Sequence, residues 1–217
     1  MDNEFIKRTL SSIILFPLVI LVILEGKIIF NLFLILCLLL VLNEWSRMKI
    51  NKILYYIGFI YLIFSFYTVH QIQKIDNELN IFLLILLICI STDIGGYAFG
   101  KLFKGPKLTN ISPKKTYSGV FGGYFLSLIT VNLLANDVYF NFQNFVVSQE
   151  IFFLTICIST ISQIGDITIS YFKRKANIKD TGNILPGHGG LLDRIDGMIF
   201  AFPFFYIIFS SGLIVIK

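Results

Sequence analysis

Ile81-Phe82-Leu83-Leu84-Ile85-Leu86-Leu87-Ile88-Cys89-Ile90-Ser91-Thr92-Asp93-Ile94-Gly95-Gly96-Tyr97-Ala98-Phe99 carries a single charged side chain, Asp93. A run of this length approaches the roughly 20 residues a helix needs to cross about 30 Å of hydrocarbon. The same character returns at about 9 to 25, 28 to 42, 53 to 69, 119 to 135, 151 to 169 and 197 to 216. Over all 217 residues, 56% are hydrophobic and 14% charged, with mean hydropathy +0.80. An average globular domain is about 25% charged. A soluble enzyme, a disordered chain and a disulfide scaffold are excluded on these numbers. The fold expected is all-α, a polytopic transmembrane helix bundle of about seven spans forming one membrane domain over 1–217. Only Glu25, Gly26 and Lys27 separate the first two runs, so two short spans joined by a tight turn are expected there.

Basic residues set the orientation, because cytoplasmic loops retain Lys and Arg. With seven spans, 15 of the 18 basic residues fall on one side and only Lys27, Lys74 and Lys217 on the other. The N-terminus is therefore expected in the cytoplasm and the C-terminus outside, and the net charge of +5 reports topology rather than nucleic-acid binding. Lys7-Arg8 and the run behind them lack a small-x-small cleavage site and read as a retained first helix. Cys37, Cys89 and Cys157 each lie in an apolar run with no partner spacing and read as packing residues. His70 is assigned to the exported loop after the third run and carries no weight.

The chemistry concentrates in two cytoplasmic loops, about 100 to 118 and 170 to 196, and in acids beside them. Asp93 and Asp166 stand at the cytoplasmic ends of the fourth and sixth runs, where a carboxylate costs several kcal/mol unless it is paired, holds a cation or faces water. If the sixth helix continues past the membrane, Asp166, Ser170 and Lys173 follow i, i+4, i+7 and share a face. A carboxylate, a hydroxyl and a cation on one face suit a phosphate-bearing ligand bridged to acid by a divalent ion. Further on, Pro186-Gly187-His188-Gly189-Gly190 forms a tight loop whose glycines allow backbone N–H groups close to a phosphate. Asp193 and Asp196 then share a face of the helix that follows, with Arg194 turned elsewhere. His188 reads as a loop anchor or phosphate contact, not a base. The other loop contains Ile111-Ser112-Pro113-Lys114-Lys115-Thr116 among five lysines, a basic wall for a triphosphate or for anionic headgroups. Gly95 to Lys101 has P-loop spacing, but Leu102 replaces the required hydroxyl residue and the segment is a helix end.

The stretch Ser170-x-Phe172-Lys173-Arg174-x4-Lys179-Asp180-x-Gly182-x2-Leu185-Pro186-x-His188-Gly189-Gly190-Leu191-x-Asp193-Arg194-Ile195-Asp196 resembles, without a break, the signature of the phosphatidate cytidylyltransferases, the CDP-diacylglycerol synthases. Asp93-Ile94-Gly95-Gly96 and Ile111 to Thr116 resemble the family's other motifs, so the catalytic region is expected at 90–200. Ser118 departs from the pattern, standing where the family has a glutamate. The resemblance implies transfer of the cytidylyl group from CTP to phosphatidic acid, giving CDP-diacylglycerol and pyrophosphate for phospholipid biosynthesis. It implies Mg²⁺, with a second cation such as K⁺ left open, as is a homodimer. Carried over by position, Asp166 and Asp193 would be the principal metal ligands, with Asp196 or Asp93 completing the shell. Lys173, Arg174, Lys179 and Arg194 would hold the triphosphate and lipid phosphate, Lys114 and Lys115 the far wall, Ser170 a phosphate oxygen, and His188, Gly189 and Gly190 a substrate contact. The place implied is the inner (plasma) membrane, multi-pass, with the active site on the cytoplasmic side. The alternatives are a CTP-dependent lipid-alcohol kinase and a cation or proton transporter.

Overall fold

In the computed structural model the residues described are 22, 26–75, 79–109, 111–135, 149–184 and 189–213. The runs among them form α1 (Lys27–Ser46), α2 (Lys52–Ile75), α3 (Asn80–Phe103), α4 (Tyr117–Ala135), α5 (Gln149–Lys175), α6 (Leu192–Ile195) and α7 (Met198–Ser210). Among the described residues there is no named strand; Lys107 and Thr116 form an isolated antiparallel bridge. Helices α1 to α5 are each long and apolar enough to cross a membrane, so the chain is a multi-pass membrane protein. The expected first span, 9 to 25, lies outside the described residues apart from Val22. The expected last span, 197 to 216, contains a helix of only 13 residues. At 1.5 Å per residue that helix covers roughly 20 Å, less than a bilayer core.

Local chemistry sets the helix ends. Gly26, with φ at 102°, turns the chain into α1 where the tight turn was expected. The Asn51 carboxamide oxygen accepts from the Ile53 N–H at 3.1 Å and starts α2. The Thr116 hydroxyl accepts from the Gly119 N–H at 3.2 Å and starts α4. Helix α5, at 27 residues longer than a bilayer core requires, runs on to Lys175 and closes with Asn177 at φ 57°. There the Ile178 N–H bonds the Lys173 carbonyl (3.0 Å) and the Asn177 N–H the Arg174 carbonyl (3.1 Å). That is the Schellman closure, with three cations, Lys173, Arg174 and Lys175, in the last turn where the helix dipole favours them.

Packing in a bilayer relies on close fit and interhelical hydrogen bonds, since lipid is as apolar as the side chains. Helices α3 and α4 meet through glycines. A Cβ on Gly95 would lie 2.2 Å from the Gly122 carbonyl oxygen, and one on Gly119 would lie 2.7 Å from the Gly96 oxygen. Polar rungs tie α5 to this pair, from Thr92 to Ser159 at 2.8 Å and between Tyr124 and Thr160 at 3.0 Å. On the other flank Trp45 lies in a slot that Gly58 leaves open, donates its indole N–H to the Tyr55 carbonyl at 3.0 Å and meets Phe172 edge-on. The apolar core divides into a cluster around Phe30, Ile85, Ile158 and Phe205 and a second around Val41, Trp45, Leu62, Ile169 and Leu192.

Two expectations change. His70 is not in a loop; α2 continues to Ile75 and His70 Nδ1 lies 2.9 Å from the Asn31 side-chain oxygen. Cys89 is buried and Cys37 half-buried, but Cys157 is exposed on the outer face of α5 and does not pack inside. The described basic residues, Lys27 and Lys74 excepted, all fall at the end of the bundle where α3 and α5 finish and α4 and α7 begin.

Candidate active site

Five stretches of chain meet at that basic end: the last turns of α3 and α5, the loop between α3 and α4, and residues 178–184 and 189–197. The α3–α4 loop is closed by the bridge at Lys107 and Thr116, by the Leu108 N–H on the Lys115 carbonyl at 2.8 Å, and by the Ser118 hydroxyl on the Lys104 carbonyl. This closure carries Lys115 across to α5, where its Nζ reaches Asp166 Oδ2 at 2.5 Å. Because α5 stays helical, Ser170 comes one turn beyond Asp166 and its hydroxyl donates to Asp166 Oδ1 at 3.3 Å. Asp93 on α3 lies within electrostatic reach of Asp166, Lys115 and Arg194, its side chain accessible from outside although protein crowds it. Asp196 is 8% exposed and accepts the Gly197 N–H at 2.9 Å. Burial, and then the charges of Asp166 and Asp93, hold its carboxyl well above the usual range.

Asp193 is the most heavily bonded acid. Its Oδ1 takes Lys173 Nζ at 2.7 Å, and both side chains are largely buried. Its Oδ2 accepts the Thr181 and Gly190 N–H groups at 2.8 and 2.9 Å. Burial pushes this carboxyl up, but the Lys173 ammonium and the two N–H groups outweigh it and hold it below the usual carboxylate range. Gly189 sits at φ 88°, and a Cβ there would lie 2.8 Å from Asp193 Oδ2, so the loop needs glycine at this point.

The structure thus brings together Asp93, Lys115, Asp166, Ser170, Lys173, Gly189, Gly190, Asp193 and Asp196. Arg174 points back along its own loop, Nη1 donating to the Ile178 carbonyl at 3.2 Å. Lys114, Lys179 and Arg194 are exposed at the rim. His188 lies outside the described residues, as do Pro186 and Gly187. The Gly190 N–H, expected to face a phosphate, is on Asp193.

One acid of this region escaped the sequence reading. Glu44 is 2% exposed in the last turn of α1. It accepts the Leu191 N–H (2.8 Å) on Oε1, and the Leu192 N–H (2.9 Å) and Thr181 hydroxyl (2.8 Å) on Oε2. Its signal in the sequence was a carboxylate beside Trp45 at the end of an apolar run, the same signal that singled out Asp93 and Asp166.

Chemically, hard carboxylate oxygens stand against ammonium groups at the mouth of a membrane bundle, an arrangement able to hold a cation and the phosphates it neutralises. Comparison with known proteins agrees. Residues 50–211 match the model of the cytidylyltransferase family. A phosphatidate cytidylyltransferase of Rickettsia felis is 40% identical over 208 residues, covering 93% of this chain and 90% of that protein. One from Rickettsia typhi is 39% identical over 205 residues, covering 92% and 89%. One from Staphylococcus aureus is 36% identical over 162 residues, covering 74% and 59%. The chain belongs to the cytidylyltransferase family.

Proposed function

We propose that this chain is a CTP:phosphatidate cytidylyltransferase of phospholipid biosynthesis. A phosphate oxygen of phosphatidic acid attacks the α-phosphorus of CTP, the bond from that phosphorus to the α,β-bridging oxygen breaks, and CDP-diacylglycerol and pyrophosphate form. The observation that supports it best is the convergence of the signature acids and lysines at one end of a membrane bundle. A two-chain lipid can there present its headgroup to a water-borne nucleotide. No general base is needed, because the attacking phosphate is already ionised. The work of the site is positioning and charge neutralisation.

Magnesium belongs to the proposal. Among the described residues no three His, Cys, Asp or Glu side chains cage an ion. Mg²⁺ commonly keeps waters and binds through one or two carboxylates plus substrate phosphates, so the donor set here fits it without a cage. Asp166, with Asp196, Asp93 and Asp193, would hold it, and a second cation such as K⁺ would share the same acids. When bound, the ion supplies positive charge to the phosphates. Lys115 and Lys173 lie where they can turn from Asp166 and Asp193 to phosphate oxygens, and Lys114, Lys179, Arg174 and Arg194 add positive charge at the rim. The sided distribution of basic residues supports an inner-membrane protein with this site toward the cytoplasm. Labelling a cysteine placed at Lys104 from one side of sealed vesicles tests that orientation.

The deciding experiment gives detergent-purified protein phosphatidic acid, CTP and Mg²⁺ and measures pyrophosphate and liponucleotide. Equal amounts of both from wild type, and neither from Asp166→Ala, are expected. CDP with a phosphorylated lipid alcohol would point to a kinase, and folded wild type making no liponucleotide would overturn the proposal.

A further inference from the structure

Thr181, Leu191 and Leu192 lie 137, 147 and 148 residues from Glu44, yet all three bond its carboxylate. The Leu191 and Leu192 N–H groups open α6 and would otherwise lack partners. Thr181 divides its donors, its N–H going to Asp193 Oδ2 and its hydroxyl to Glu44 Oε2 at 2.8 Å, nearer than Asp193 Oδ2 at 3.1 Å. One hydroxyl proton cannot fully serve both. Gly190 completes the weave, giving its N–H to Asp193 while its own surface faces Glu44. A Cβ there would lie 2.4 Å from Glu44 Oε2 and 2.1 Å from Thr181 Oγ1. Gly182 packs on the same carboxylate, with a Cβ 3.0 Å from Oε1. Two acids therefore brace one loop from opposite sides: Asp193 from within it, and Glu44 from a membrane helix far away in sequence.

We infer that Glu44 is a positioning residue for the transfer reaction: anchored in α1, it holds Thr181, Gly182 and Gly190 to Leu192 in the arrangement that keeps Asp193 against Lys173 beside the substrate phosphates. Its catalytic consequence rests on the proposed cytidylyl transfer; its bracing of the loop does not. A group that orients a metal-site residue commonly costs 10- to 100-fold in activity or metal affinity when removed.

The test compares wild type with Glu44→Gln, Glu44→Asp and Thr181→Val by amide hydrogen exchange without substrates and by steady-state kinetics. Glutamine keeps the size but removes the charge and one accepting oxygen, so exchange across 181–192 should quicken at least tenfold. Peptides from α3, α4 and the membrane part of α5 should keep wild-type rates. The kcat should fall about 10- to 100-fold while KM for CTP moves less than threefold, and Glu44→Asp, which keeps the charge, should recover part of kcat. Thr181→Val, which removes only the hydroxyl, should show the same local exchange at smaller size, and it carries the test if Glu44→Gln does not fold. Wild-type exchange in 181–192 and wild-type kcat would overturn the inference, as would exchange raised equally throughout the bundle. If wild type itself makes no liponucleotide, the transfer reading fails, and the bracing stands or falls on the exchange data alone.

Discussion

Asp193→Asn swaps one oxygen for an NH₂ group at constant shape, and so isolates charge at the buried pair with Lys173. At the observed 2.7 Å, and with an effective dielectric of about 20, the Coulomb attraction is on the order of 6 kcal/mol. Desolvation of both groups offsets much of it, yet removing one partner strands the other, at a cost of about 3–5 kcal/mol. In Asp193→Asn the amide oxygen can still accept from Thr181 and Gly190, but the NH₂ faces the Lys173 ammonium, so the upper end of that range is expected. In Lys173→Met the carboxylate keeps its two N–H donors and the loss is nearer 1.5–3 kcal/mol, the value of one charged hydrogen bond. The double variant contains no stranded charge and should cost about 1–3 kcal/mol for an unpaired amide group. Equilibrium unfolding in mild detergent should therefore give a coupling of at least about 2 kcal/mol between the two positions, although all three variants lose turnover. Losses that add to within about 0.5 kcal/mol would show the pair to be uncoupled and refute this account of why Asp193 sits where it does.

Gly95→Ala drives a methyl into the Gly122 backbone oxygen, which cannot rotate away, and should destabilise by about 1–3 kcal/mol or more. Gly96→Ala, with nothing nearer than 3.7 Å, should be neutral or stabilising by up to about 1 kcal/mol; thermal unfolding of the two neighbours checks it. Lys115→Gln removes a partly exposed pair with Asp166, so stability should fall by no more than about 1 kcal/mol while KM for CTP rises roughly tenfold, about 1.4 kcal/mol of lost binding. Because the folded state lowers the Asp193 carboxyl from an ordinary value of about 3.9, it binds fewer protons folded than unfolded there. Its stabilisation should be whole above that value and lost as pH falls through the lower folded one. The difference in unfolding midpoint between wild type and Asp193→Asn should stay level from neutral pH to about 5 and shrink below 4.

The helices were legible because hydropathy is a local property, and the continuation of α5 placed Asp166, Ser170 and Lys173 together by periodicity alone. The ends were harder. His70 and Glu44 both fell just past the apolar windows, although α2 runs on to Ile75 and α1 to Ser46; a polar residue satisfied inside a helix looks like a loop residue to a hydropathy scan. The glycines at 189 and 190 were read as room for a phosphate, yet Gly190 is forced by a carboxylate from α1 and Gly189 by its own φ and by Asp193. Those are contacts at long sequence separation, which neither spacing nor composition contains. The same limit hid the meeting of Lys115 with Asp166, two elements apart.

The hydrogen bonds of Glu44 also set a schedule. Its farthest partner, Leu192, is made 148 residues later, roughly 7–30 s at about 5–20 residues per second of synthesis. For that interval the first described helix carries an acid whose final donors do not yet exist. It must wait hydrated at the aqueous edge of the membrane, and it can be drawn into the bundle only when the signature loop arrives. A nascent chain stalled before Thr181 would expose that unfinished carboxylate, a chemical mark by which incomplete copies differ from finished ones.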